Sequence, residues 1–241
     1  MIKNPLAICI LAAGKGTRMN SDMPKVLHTL NNMPLIHHVI NTSKSLDPNK
    51  IISIIGYKKE VVEESIKDFE TDIAYQLEQK GTAHAIEQCI NQIKEVGGNT
   101  LVLSGDVPFI SKTTLENLIN QHTQRHSIAS LISAEINDPT GYGRIVKDED
   151  GGFVKIVEHK DANKDELKIN EINSGIYIFE TKALCEKIFL IKNNNNQNEY
   201  YLTDIFNFIN SKKISIIKTD SIEEISGINT LDQLKDLEKH S

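Results

Sequence analysis

No stretch of this 241-residue sequence reads as a membrane span: the longest apolar run near its start, residues 6–13, has eight residues, against the roughly 18 that a spanning helix needs. The three cysteines, Cys9, Cys89 and Cys185, are far apart and form no C-x-x-C pair. Such a set reads as buried thiols in a reducing cytoplasm, not as a disulfide frame or a zinc site. A large charge excess is also missing, with 27 basic against 33 acidic side chains and a net charge of -6, which speaks against a general nucleic-acid or membrane-surface binder. No Gly/Ser/Pro-rich linker divides the chain and no hexapeptide or other repeat runs through it. A single α/β domain is the expectation. A secretory signal core at 6–13 fits less well than the phosphate loop that follows it.

What is present alternates. Short β-rich apolar runs at 6–12, 51–56, 72–77, 100–104 and 128–134 read as strands. Helical spacing marks 35–46, 58–69, 82–96 and 113–124, with Pro34 in a first turn and Thr82 and Ser111 placed like N-caps. This rhythm predicts a mostly parallel sheet with helices on both faces and ligands at the carboxyl ends of its strands. After residue 137 a turn cluster (138–143) leads to a hairpin of 144–146 and 153–157 and a strand at 171–179. A helix at 181–191, an exposed Asn run at 193–196, a helical stretch at 201–210, a strand at 214–219 and an amphipathic helix at 230–239 complete the chain.

The strongest chemical signal is Leu11-Ala12-Ala13-Gly14-Lys15-Gly16-Thr17-Arg18, followed by Pro24-Lys25. Small residues straight after a buried strand let backbone N–H groups approach an anion, and Arg18 and Lys25 can neutralise its oxygens. It is neither a Walker A loop nor a full G-x-G-x-x-G, because Met19 holds the last glycine position. Gln76, at a strand end, can donate to and accept from a pyrimidine edge, or simply close the strand. Asp106, past the strand at 100–104, is either a turn residue or a ligand for a hard cation such as magnesium. His122 and His126 share a predicted helix face but lack H-E-x-x-H and a third ligand; His37 and His38 point apart. No G-x-S-x-G elbow occurs.

These segments, with Gln79-Lys80-Gly81-Thr82-Ala83-His84-Ala85, Ser104-Gly105-Asp106-Val107-Pro108, Tyr142-Gly143-Arg144, Val157-Glu158-His159-Lys160, Glu171-Ile172-Asn173-Ser174-Gly175, Tyr200-Tyr201-Leu202-Thr203-Asp204 and Gly227-Ile228-Asn229, resemble the sugar-1-phosphate nucleotidyltransferases. They are most similar to the uridylyltransferase domain of the bacterial bifunctional N-acetylglucosamine-1-phosphate uridyltransferase/glucosamine-1-phosphate acetyltransferases, in that family's order across nearly the whole chain.

The resemblance implies a Rossmann-like α/β nucleotidyltransferase fold, a mostly parallel mixed sheet flanked by helices with a β-rich sugar-binding lobe. It implies a transferase domain at 1–229, with a nucleotide half to about 110 and a sugar half from 111, and a helix at 230–241 leading toward an acetyltransferase domain. The chain ends at Ser241 without that domain's repeats, so acetyl transfer is not expected of it. UTP and N-acetylglucosamine 1-phosphate would be the substrates, magnesium the cofactor, and cell-wall precursor supply the setting. The resemblance places Leu11, Ala12, Ala13, Gly14, Gly16, Lys25, Gln76, Gly81, Thr82, Ser104, Gly105 and Asp106 on the nucleotide. Gly143, Glu158, Asn173, Tyr201, Thr203 and Asn229 fall to the sugar phosphate, Asp106 and Asn229 to the metal, and Arg18, Lys25 and Asp106 to catalysis. Ser104 departs from relatives that carry an aromatic residue there. With the β-helix domain missing, a monomer is plausible and the oligomeric state open.

Overall fold

The structure, a computed structural model, describes residues 4–238. In chain order the strands and helices are β1 (Leu6–Ala12), β2 (Thr29–Leu30), β3 (Met33–Pro34), α1 (Leu35–Ser45), β4 (Lys50–Ile55), α2 (Lys59–Ile66), β5 (Asp72–Tyr75), α3 (Thr82–Glu87), α4 (Ile90–Val96) and β6 (Asn99–Ser104). Then come α5 (Lys112–Gln124), β7 (Ala129–Glu135), β8 (Gly143–Lys147), β9 (Phe153–Val157), β10 (Glu171–Glu180), α6 (Thr181–Lys187), β11 (Ile214–Lys218), α7 (Ile222–Ile225) and α8 (Leu231–Glu238).

One nine-stranded sheet runs β11-β7-β10-β6-β1-β4-β5, and the β8–β9 hairpin joins it through β10. Ladders between β6, β1, β4 and β5 and between β7 and β11 are parallel. β10 lies antiparallel to β6, β7 and β8. The mostly parallel, helix-flanked sheet expected from the alternation is what forms.

Period-two alternation in the strands feeds two cores. On β1, Ile8 and Ile10 join Val39, Ile40, Leu115 and Leu118 on one face; Ala7 and Cys9 join Ile86, Ile90, Ile93 and Phe179 on the other. Helix α1 has several β-branched residues and little intrinsic helix preference. It forms because Leu35, Ile36, Val39 and Ile40 are wholly buried, each such burial contributing about 1.5–3 kcal/mol. A third, small cluster packs Leu234 of α8 against Leu30, Leu35 and Ile228.

Strand β10 carries the feature that opens the molecule. Its register against β7 shifts between Asn173 and Tyr177, where Gly175 adopts φ +81°, a conformation that suits glycine. Beyond the bulge, Tyr177–Glu180 pairs with β6; before it, Ile172 and Asn173 pair with β8 instead. The sheet therefore parts just where β6 ends.

Several local expectations need correction. The helix at 82–96 is two, because Cys89 adopts φ −113°, ψ 12° and its thiol contacts the Ile86 carbonyl oxygen at 3.2 Å. Thr82 is not a cap: Gly81 holds that place, and the Thr82 hydroxyl accepts from the Leu202 N–H at 2.9 Å. Ser111 does cap α5, accepting from the Thr114 N–H at 3.2 Å. Pro34 pairs with Thr29 and precedes its helix rather than sitting in the first turn. The helix at 181–191 stops being α-helical after Lys187, and 201–210 is 3-10 in character over Leu202–Phe208. Of the last helix, Lys239 lies outside the described residues.

His126 lies beyond the end of α5 with φ +49° and shares no helix face with His122. His37 bonds Ser65 and His38 bonds the Leu30 carbonyl, so the two do diverge. His122 is 2% exposed, bonded through Nδ1 to the Ser130 hydroxyl, and burial lowers its pKa to about 4. A depressed histidine lets the unfolded chain take up protons first as pH falls, so stability drops from about pH 6.5 down to about pH 4. Between pH 7 and pH 5 this group should cost about 2 kcal/mol. Urea unfolding at the two pH values should show that difference, and His122→Gln should shrink it.

Candidate active site

The carboxyl ends of β1 and β6 lie side by side, and two loops leave from them. After β1, Ala12 and Ala13 are buried and the chain turns through Gly14 and Gly16. Gly16 has φ +66°, and a Cβ there would stand 2.5 Å from Lys25 Cβ, so only glycine lets the loop pass the lysine. Met19, at the position where a third glycine would sit, is buried and anchors the loop in the core. After β6, the Gly105 N–H donates to the Leu11 carbonyl at 2.9 Å, carrying Asp106 to the mouth between the strands.

Four side chains from distant segments meet there. Burial of Val26 and Leu27 leaves Lys25 facing the mouth, where its ammonium contacts Asp106 Oδ2 and lies 2.6 Å from Asn229 Oδ1. An Arg18 guanidinium N–H donates to the same Asn229 oxygen at 2.8 Å. The Ile228 N–H donates to the Asp106 carbonyl at 3.0 Å, drawing Gly227–Asn229 onto the strand end. Asn229 Nδ2 donates to the Gly227 carbonyl at 3.0 Å, which turns its Oδ1 inward. Two hard oxygens, one charged, are thus aimed at a single cationic point that the lysine ammonium shares. That donor set suits a magnesium ion, which takes few protein oxygens and fills its shell with water and phosphate. Among the described residues no three His, Cys, Asp or Glu gather around a metal-sized point, so any cation here rests on this Asp–Asn pair.

On one side of this cluster a cavity of about 400 Å³ is lined by Leu11, Ala13, Gly14, Gly16, Arg18, Gln76, Gly81 and Thr82, with Gln79 and Glu199. Gly81 has φ +113°, and a Cβ on it would stand 2.5 Å from the Tyr200 carbonyl oxygen. Tyr200 clamps this turn from both sides, its N–H donating to Lys80 O at 2.8 Å and its carbonyl accepting from Ala83 N at 2.9 Å. Gln76 departs from expectation: its amide nitrogen lies 2.9 Å from Gly81 O and 3.1 Å from His84 Nδ1. With His84 Nδ1 bare, both of its amide N–H groups are engaged inside the protein.

On the other side, a cleft of about 280 Å³ opens at the β10 bulge. Arg18, Thr82, Ser104, Asp106, Gly143, Glu158, Asn173 and Thr203 line it, together with Tyr142, Gly175 and Gly227. Gly143 and Asn173 are register partners. Asn173 Nδ2 donates to the Tyr177 hydroxyl at 2.6 Å, and the Thr203 hydroxyl donates to Glu158 Oε1 at 3.0 Å. Burial raises the Glu158 pKa; the Thr203 hydroxyl opposes this, and Asp204, Asp161 and Glu199 add to it. Tyr201 is placed differently from the others. It lines a separate cavity of about 270 Å³ behind the cleft, sharing Glu158 and Thr203 with it. Burial pushes its phenol up to about 12, and the hydroxyl accepts from Gln197 Nε2 at 2.6 Å.

Ser174, Gly175, Tyr142, Tyr177 and Gly227 line the cleft without having been singled out as site residues. A glycine inside a strand pattern was the available signal for the bulge. A further cavity, about 600 Å³ around Asn4, Gly98, Thr181 and Cys185, holds none of these loops.

A split α/β sheet with a glycine-rich loop, a carboxylate and convergent cations at its carboxyl edge defines a nucleotide-binding enzyme class. A family profile described as nucleotidyl transferase matches residues 7–220, and the chain belongs to that family. It is 42% identical over 222 residues to the bifunctional protein GlmU of Streptococcus uberis (strain ATCC BAA-854 / 0140J) and to that of Bacillus mycoides (strain KBAB4). The match covers 91% of this chain and 48% of each relative, so the chain spans about half the length of the curated relatives it matches. A Bacillus anthracis crystal structure with sucrose bound, named for glucose-1-phosphate thymidylyltransferase, superposes with a TM-score of 0.76 at 20% identity. It covers 98% of this chain and 94% of its own, a likeness of fold.

Gly81→Ala should destabilise the protein by on the order of 1–3 kcal/mol through backbone strain and the Tyr200 clash. Denaturant titration checks the stability, and nucleotide binding by calorimetry should weaken in parallel.

Proposed function

We propose that this chain transfers a uridylyl group from UTP to N-acetylglucosamine 1-phosphate, releasing pyrophosphate. One observation carries the reading. The Arg18–Lys25–Asp106–Asn229 cluster stands between a pocket shaped for a base and a polar cleft, where the phosphates of two substrates would meet. The UDP-N-acetylglucosamine assignment draws further support from the 42% identity to the GlmU proteins.

The sugar phosphate is already an anionic nucleophile at neutral pH, so neither a general base nor a covalent intermediate is needed. One of its oxygens attacks the α-phosphorus, that P–O bond forms, and the bond to the β-phosphate oxygen breaks in line. Backbone N–H groups of the glycine loop and the cations of Arg18 and Lys25 neutralise charge on the transferring centre and the departing pyrophosphate. Magnesium held by Asp106 and Asn229 would supply further charge neutralisation on phosphate oxygens. In the cleft, Gly143, Glu158, Asn173 and Thr203 offer a backbone donor, a carboxyl, an amide and a hydroxyl to a sugar rich in hydroxyls.

Pyrophosphate release with UTP, magnesium and either N-acetylglucosamine 1-phosphate or glucose 1-phosphate tests the reading. Turnover should require the N-acetylated sugar and disappear with EDTA. Asp106→Ala should lower kcat by on the order of 10²–10³ in a folded protein, and unchanged turnover in that variant would sink the metal assignment. Glu158→Ala should raise KM for the sugar phosphate on the order of tenfold while leaving KM for UTP near its original value, as loss of one hydrogen-bonding group on one substrate predicts. Activity with glucose 1-phosphate alone would move the substrate but keep the chemistry. Binding of UDP-N-acetylglucosamine without turnover would make the chain a nucleotide-sugar binder.

A further inference from the structure

Gln76 follows β5 directly and is 4% exposed. Its main chain is fully engaged: the N–H donates to Ile55 O at 2.8 Å, and the carbonyl accepts from Gln79 Nε2 at 2.9 Å. Only the amide head has an orientation to choose. One N–H goes to Gly81 O at 2.9 Å, but that oxygen also accepts the Ala85 N–H of α3 at 3.1 Å. The second contact is with His84 Nδ1 at 3.1 Å. An amide nitrogen cannot accept, so this is a hydrogen bond only when His84 Nδ1 is bare and the imidazole proton sits on Nε2. Among the described residues nothing donates to Gln76 Oε1, and Gln76 lines the cavity beside the glycine loop.

We propose that His84 is a positioning residue that fixes which face of the Gln76 amide a nucleobase meets, and thereby selects the pyrimidine. The inference rests on the uridine reading above. A single anchor on the shared Gly81 oxygen is a pivot about which the amide plane can turn. Two anchors on one nitrogen fix the plane and leave an acceptor, with no donor, facing the pocket. With its N3 edge set against that oxygen, uracil donates its N3 hydrogen to it. Cytosine held in the same place brings a lone pair on N3, acceptor to acceptor, while its 4-amino donor lies one ring atom away. His84 lies in the first turn of α3 two residues past Thr82, so the short helix delivers both the pocket wall and the anchor of its reader.

The test compares the full chain with His84→Leu, which removes the acceptor, and His84→Asn, which puts an acceptor oxygen on Cγ where histidine carries Nδ1. Steady-state kcat and KM are measured for UTP and for CTP at saturating N-acetylglucosamine 1-phosphate and magnesium. His84→Leu should lower the UTP-to-CTP ratio of kcat/KM roughly five- to tenfold, the size of one neutral hydrogen bond. The change should fall mainly on KM for UTP, with kcat moving far less. His84→Asn should hold the ratio within about twofold of the unaltered chain, a demand that stands even if the leucine variant fails to fold. A ratio unchanged in His84→Leu, or lost in His84→Asn, overturns the inference alone. An unaltered chain with no preference for UTP over CTP overturns the uridine reading and this inference together.

Discussion

A carboxylate at the end of a buried parallel strand cannot stand alone. Asp106 is carried to that position by the ladder between β6 and β1, and its side chain is only 20% exposed. Lys25, 13% exposed, answers it, and the pair is hydrogen-bonded onward to Asn229 and through it to Arg18. Removing one partner of such a shielded pair leaves an uncompensated charge, which is strongly unfavourable. The cluster therefore binds together the loop after β1, the turn at Pro24, the end of β6 and the segment before α8. Groups suited to polyphosphate chemistry are the same groups that close the fold.

Around that knot the sheet is built to separate two rooms. The three parallel ladders from β6 to β5 are continuous and support the cavity beside the glycine loop. On the other side, the β10 bulge transfers the strand from β6 to β8, and the cleft opens in the gap. A regular β10 would continue along β6 and bring Gly175 into register with Ser104. Tyr200 to Thr203 joins the rooms: Tyr200 grips the Gly81 turn, Leu202 takes the Thr82 hydroxyl, and Thr203 reaches Glu158. The same short segment thus borders both the cavity beside the glycine loop and the polar cleft.

Much of this was legible in residue patterns. Alternating apolar runs predicted the strands of the first half, and the glycine loop, Arg18 and Lys25 do gather at the carboxyl edge of the sheet. Gly143, Glu158, Asn173 and Thr203 do meet in one cleft. Tyr201 does not line it, because its ring turns to the cavity behind, a direction that helical spacing cannot reveal. The break at Cys89 was invisible for a similar reason: residues 82–96 keep helical spacing of apolar residues through Ile86, Cys89, Ile90 and Ile93. The interruption comes from φ/ψ at one residue and the packing of its thiol 3.6 Å from that of Cys9. Cysteines 80 positions apart in sequence are neighbours in the core, which spacing along the chain cannot show.

The Gln76 amide shows how far residue type alone underdetermines recognition. An amide in solution offers two donors and an acceptor, so a strand-end glutamine is compatible with any pyrimidine edge. Here, with His84 Nδ1 bare, the donors are consumed by groups within eight residues of it in sequence, Gly81 and His84. Hydrogen bonds that look structural subtract functions from the side chain until one remains. The remaining acceptor sits on a buried residue and has no alternative partner among the described residues, so a ligand that cannot donate leaves it unpaired. Specificity in such a pocket comes less from attraction toward the right base than from the cost imposed on the wrong one.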